Sequence, residues 1–179
     1  MEPTFAAMGR PHIDQYDPFY KHYIDLTTPE EATALPAFYN HTITTFFSSL
    51  TNEMGTYAYA PDKWSLNQVL QHLLDVERVF VYRLLWIVRG DRQPLPGFDE
   101  NSFAKHAPAS HRTLGELTEE WLLLRQSTDR FIAQLSTAEL ACKGVANGSS
   151  ISANALCFII YGHILHHIDI IETRYLSKS

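Results

Sequence analysis

Three histidines stand in the closing stretch GHILHHIDIIETRYL, residues 162–176, inside a run otherwise rich in Leu and Ile. An imidazole can hold a metal, carry a proton or hydrogen-bond, and buried without a partner it costs about 1–3 kcal/mol, so each of these rings needs something to satisfy it. At 100° per residue, His163 and His167 differ by about 40° and one turn, which sends both rings from one helix face at a spacing that lets them share an ion. His166 lies roughly 60° to the other side of His163. Leu156, Ile159, Ile160 and Ile170 crowd around the line joining His163 and His167, so that pair points inward. Hydrogen bonds to carbonyls or carboxylates would satisfy the two rings as well as a metal.

His72 shifts the balance toward metal. It lies in WSLNQVLQHLLDVERVFVYRLLWIVRGD, beside an apolar stripe of Leu66, Val69, Leu70, Leu73, Val76, Phe80, Leu84 and Ile87. Two rings from one helix and one from another make three neutral nitrogen donors with positions left for water or substrate, the pattern of catalytic rather than structural sites. Asp75, one turn after His72, is placed either to orient its ring or to form a solvated face with Glu77 and Arg78; the solvated face is the preferred reading. Asp75 and Glu77 are also candidates for a general base by proximity to His72. His12, His22, His106 and His111 read as solvated, His41 stays open, and His166 reads as a helix-boundary residue.

These donors require helices to carry them. Pro36 argues that a first long helix begins near Leu35 and runs to about Thr51. Ser65 as N-cap and Gly90 as stop bound the second. The third is TLGELTEEWLLLRQSTDRFIAQLS, with Trp121, Leu124, Phe131 and Leu135 as apolar positions and Glu119, Glu120, Arg125, Asp129 and Arg130 as polar ones. Ser152 caps the fourth, which carries His163 and His167. The expected architecture is therefore an all-α four-helix bundle, one domain over residues 1–179 with residues 1–30 as an irregular arm. Its rival is a bundle with a short hairpin in the 53–60 or 143–151 region. Between the second and third helices, QPLPGFDENSFAKHAPASHR is a long connection of the kind that covers a site or an interface.

Composition narrows the function. Twenty acids against 14 bases, net charge -6, with no block of like charges, leave no surface for a phosphate backbone, so nucleic acid is not an expected partner. No eighteen uncharged apolar residues run together, and MEPTFAAMGRPHIDQYD lacks a signal-peptide pattern, so the expectation is a cytoplasmic protein without a membrane partner. Cys142 and Cys157 lack zinc-knuckle spacing and read as a loop thiol and a small buried residue. Tyr82 and Trp86, beside the long connection, make a homodimer plausible.

The segments KWSLNQVLQHLLDVERVFVYRLL and GHILHHIDIIETRYL together resemble the DinB/YfiT-like superfamily, matching its Trp-Ser and His-Leu-x-Asp run and its closing Gly-His-x-x-His-His helix. The resemblance covers most of the chain after the first thirty residues. It implies a four-helix bundle with a divalent metal on His72, His163 and His167, the same set that the helical spacing selects. It also implies chemistry on a small-molecule substrate: thiol S-transfer with a low-molecular-weight thiol cosubstrate and zinc or nickel as the ion, or metal-dependent hydrolysis. The third expectation is a noncatalytic metal- or ligand-binding stress-response module.

Overall fold

The computed structural model of the chain describes residues 8–107 and 109–177. In chain order its elements are α1 (Lys21–Asp25), α2 (Leu35–Ser48), α3 (Leu66–Val88), α4 (Glu100–His106), α5 (Leu114–Ala133) and α6 (Thr137–Leu140). Strands β1 (Lys143–Ala146) and β2 (Ser149–Ser152) then lead into α7 (Ala153–Ile170), whose axis continues through a π-helical segment, Ile171–Leu176. Helices α2, α3, α5 and α7 form a four-helix bundle.

Local chemistry sets the ends of these helices. Ser65 accepts a hydrogen bond from the Gln68 amide while the Gln68 side chain returns to the Ser65 amide, closing a capping box at the start of α3. Thr113 and Glu116 do the same for α5, and Ser152 Oγ accepts from the Ala155 amide to start α7. Such caps contribute about 1 kcal/mol each by satisfying amides that the first turn leaves free. Helix α3 ends where Gly90 takes a φ of 79°.

The core lies around α7. Every residue from Ala153 to Ile164 is buried, as expected for a helix that is apolar on all sides. The helix from Ala153 to Leu176 is long and apolar enough to cross a membrane, yet 72% of its most apolar window is buried inside the fold. Leu66, Leu74 and Leu84 of α3 and Leu114, Leu117 and Trp121 of α5 have no exposed surface, and the Trp121 ring packs 4.3 Å from that of Phe47 on α2.

Three regions depart from the sequence expectations. The segment expected to be an irregular arm carries α1, which packs against α7: a Cβ on Gly162 would sit 1.9 Å from the Tyr23 carbonyl oxygen, so only glycine permits this approach. That contact places Tyr23 next to His163. The hairpin that rivalled an all-helical bundle is present as β1 and β2, antiparallel with Lys143 opposite Ser152 and Ala146 opposite Ser149. Its turn residues Asn147 and Gly148 have φ of 53° and 77°, the positive angles that a tight two-residue hairpin requires. Leu95 from the long connection bonds to β1, its amide to the Val145 carbonyl at 2.9 Å, and its carbonyl accepts from the Asn147 amide at 3.1 Å. The connection is thereby pinned, and it holds α4, capped by Asp99, which accepts from the Asn101 and Ser102 amides.

The third departure concerns charge. Glu77, expected on a solvated face, is buried, and so are Arg125 and Asp129, expected among the polar positions of α5. Arg125 Nη1 lies 3.1 Å from Glu77 Oε1 and Nη2 pairs with Asp129 Oδ1, so ion pairing overrides the simple rule that charged residues face water.

Candidate metal centre

His72 leaves the first half of α3 while His163 and His167 leave one face of α7, and the packing of the two helices brings the three rings together. Their exposures are 6%, 6% and 8%. His163 Nε2 lies 3.1 Å from His72 Nε2 and 3.2 Å from His167 Nε2. Each of the three residues offers a nitrogen within 4.8 Å of those of the other two. The three residues selected from the sequence are therefore one cluster, and among the described residues it is the only group of three or more His, Cys, Asp or Glu donors converging in this way.

Apolar and aromatic groups close around the cluster. The Trp64 ring lies 4.9 Å from that of His72, and Tyr175 fastens the Trp64 backbone by donating its hydroxyl to the Trp64 carbonyl at 2.7 Å. Tyr23 and Phe80 meet His163 edge-on at 5.6 and 6.0 Å. Burial depresses the affinity of the rings for protons: His72 is lowered to about 4, and His163 and His167 fall well below the ordinary histidine value, with mutual repulsion adding to burial. All three are neutral at pH 7, the state in which imidazole donates to a metal.

Hydrogen bonding among the rings cannot satisfy this cluster. A neutral imidazole nitrogen carries either one hydrogen or one in-plane lone pair, so His163 Nε2 cannot make two good bonds to its two neighbours. His167 Nδ1, also buried, has no hydrogen-bond partner. A cation does fit the donor set: metal–nitrogen distances of about 2.0–2.1 Å put tetrahedral ligands about 3.3 Å apart, close to the separations here. Softness of the donors favours zinc, nickel, copper or iron over magnesium or calcium.

The remaining histidines sort as follows. His166 is outside the cluster; its Nδ1 lies 3.2 Å from Nε2 of His22, which is exposed but paired rather than simply solvated. His12 bonds to Asp14, His106 to the Ser102 carbonyl, and His41 and His111 are exposed. Asp75 accepts from Gln71 Nε2 at 3.0 Å, and Glu77 faces Arg125, so the hydrogen bonds of neither carboxylate orient His72.

Two clefts reach the centre. One, of about 370 Å³, is lined by His163, Tyr20, Tyr23, Phe80, Arg83 and Phe98, together with Asp99 and Asn101 at the start of α4. The other, of about 290 Å³, is lined by His167, Trp64, Tyr59, Lys63 and Tyr175, again with Asn101. Of these residues the sequence pointed to the histidines and to Trp64 of the Trp-Ser motif. The sequence does carry a signal for Arg83: with Val76, Phe80 and Ile87 it follows helical spacing along the core face, where an arginine needs a reason.

The family model of the DinB superfamily matches residues 38–171, most of the chain and both histidine segments. The chain belongs to the DinB superfamily. A solved structure with the same fold is that of YfiT from Bacillus subtilis, described as "a probable metal-dependent hydrolase with an unusual four-helix bundle topology". The two share 14% identity and a TM-score of 0.66, over 92% of this chain and 90% of that one. No curated protein matches the sequence of this superfamily member.

Proposed function

We propose that this DinB-superfamily protein is a divalent-metal-dependent enzyme acting on a small molecule, with His72, His163 and His167 as the ligands of a zinc or nickel ion. The observation that carries this reading is the convergence of three neutral, buried nitrogens that one another's protons cannot all satisfy. Three protein ligands leave coordination positions open, whereas a structural zinc has a fourth. A divalent ion held there would supply Lewis acidity, lowering the pKa of a thiol or water placed against it.

The chain's own residues prepare the site for that chemistry. Trp64, Tyr23 and Phe80 exclude water from the flanks of the imidazoles, and burial keeps the rings free of protons. Two clefts meeting at one centre favour a two-substrate reaction, thiol S-transfer to an electrophile. Neither Cys142 nor Cys157 lines these clefts, so the sulfur would come from a low-molecular-weight thiol cosubstrate. Hydrolysis is the second reading, favoured by the description of YfiT.

The test is metal content of protein purified without a histidine tag, compared with His163→Ala. Stoichiometric zinc or nickel in the wild type and none in the variant is the expected result. Absence of metal from both, with no tighter uptake by the wild type on addition, sinks the reading. Turnover of an electrophile that requires added thiol supports transfer; thiol-independent turnover of esters or amides supports hydrolysis.

A further inference from the structure

Arg83 is buried, 3% exposed, yet among the described residues no carboxylate lies within ion-pairing distance of it. Arg125, at 2% exposure, has two. A guanidinium presents five N–H groups. In Arg83, Nη2 donates to the Pro96 carbonyl at 2.9 Å, and the group lies 5.8 Å from the Phe80 ring centre and 5.7 Å from that of Phe98. Ring contacts, one carbonyl and the neighbouring Tyr20 hydroxyl hold the guanidinium in place without neutralising it. Its surroundings are the walls of the cleft that His163 also lines.

Resting on the reading of the three histidines as a metal centre, we infer that Arg83 is the anion-binding anchor of the substrate cleft. The ligand it selects is a small organic monocarboxylate with an apolar body. The carboxylate suits the planar fork of the guanidinium, which binds it through two parallel hydrogen bonds. Phe19, Tyr23, Phe80 and Phe98 provide the apolar wall that receives the body of the molecule, and His163 lines the same cleft, so the reacting group would lie beside it. Charge sets the limit of one negative unit. Asp99 and Glu100 stand at the same cleft, and the Asp99 carboxylate is already committed to capping α4, so a phosphate dianion would meet two acids with one cation to hold it. Tyr20, on the same cleft, feels this charge directly: burial raises its pKa, and the charge of Arg83 together with a hydrogen bond to it pulls it back.

The role is one of specificity, so the test compares ligands rather than rates. Benzoate, phenylacetate and hexanoate, each paired with its neutral primary amide, are titrated calorimetrically into zinc-loaded and metal-free wild type, and into Arg83→Gln, Arg83→Lys and His163→Ala. At least one acid should bind wild type about tenfold or more tightly than its amide, the difference expected of one charge-assisted bidentate contact. Arg83→Gln should erase that preference while leaving amide binding, zinc content and melting temperature in place. If Arg83→Gln does not fold, Arg83→Lys carries the test: it keeps the charge but loses the fork, and acid affinity should drop severalfold with amide affinity unmoved. The inference is overturned by equal binding of acid and amide in wild type, by a preference that survives Arg83→Gln, by acid affinity that Arg83→Lys leaves unchanged when Arg83→Gln is unavailable, or by inorganic phosphate binding more tightly than the acids. An acid preference lost in His163→Ala but intact in Arg83→Gln assigns the anion to the metal and overturns it as well. Wild type that takes up no zinc would instead defeat the metal reading, and the acid-to-amide comparison in the metal-free protein would still decide the role of Arg83.

Discussion

Among the buried polar side chains of helix α3, His72 points toward α7 and Glu77 toward α5, and the clusters they join are built on opposite principles. Around Glu77 most of the charged groups pair with one another, although Glu77 Oε2 is left without a hydrogen-bond partner. Arg125 pairs with Glu77 and Asp129; Thr128 donates to Glu77 at 2.6 Å, Tyr161 to Asp129 at 2.5 Å and Asn40 to Asp129 at 2.8 Å. Residues of α2, α3, α5 and α7 are thus tied at one point. Around His72 three like donors converge, and a hydrogen bond between any two of the rings leaves the third nitrogen unsatisfied. The closed cluster specifies which helices are neighbours; the open one holds binding capacity in reserve at a cost in stability.

Breaking the closed cluster should have the largest effect on folding. Arg125→Met leaves Glu77 and Asp129 buried without their cation and should cost about 3–5 kcal/mol, read as a fall in the urea midpoint. Burial alone would lower the affinity of Arg125 for its proton, but Glu77, Tyr161 and Asp129 outweigh it, so the charge persists and its loss is felt in full.

Acid should expose the open cluster next. His72 has a folded-state pKa of about 4 against an ordinary value of 6.5, so between these the unfolded chain binds more protons. Stability of the metal-free protein is then complete above pH 6.5 and is lost as pH falls toward 4, roughly 3 kcal/mol from His72 alone, with His163 and His167 acting in the same direction. Chemical denaturation of metal-free protein at stepped pH measures this. Zinc-loaded protein should begin to lose stability at a lower pH, since protons must then displace the ion. Stability rising as metal-free protein is acidified over this range would show that the rings are not held neutral.

His163→Ala separates the two clusters most clearly. It removes a ring that the fold does not need, so the metal-free variant should remain folded, within about 1–2 kcal/mol of wild type. The increase in melting temperature that added zinc gives wild type should vanish. Smallest of all is Asp75→Asn: its carboxylate meets Gln71 and no ring of the centre, so both stability and zinc affinity should stay within about 0.5 kcal/mol of wild type. A large loss of affinity would mean that Asp75 acts on His72 through an intervening group.

The legibility of the two clusters differs in the same way. HxxxH on an apolar helix is a local pattern, visible because residues four apart share a face whatever the fold. Glu77, Arg125 and Asp129 look like surface residues in their own segments, since a charged side chain is buried only when a distant partner meets it. Arg83 lies between these cases: helical spacing puts it beside the apolar stripe, but only the fold supplies the cleft that explains it.

Four long helices, their caps at Ser65, Thr113 and Ser152, and the pairing of His163 with His167 follow from the amino-acid sequence alone, because capping and helical periodicity act within a few residues of chain. Tertiary structure decided which charges are interior, how α1 approaches Gly162 to set Tyr23 beside His163, and how a hairpin pins the long connection so that Phe98 closes over Arg83. Those outcomes depend on groups tens of residues apart reaching contact distance, and only the packed bundle fixes that distance.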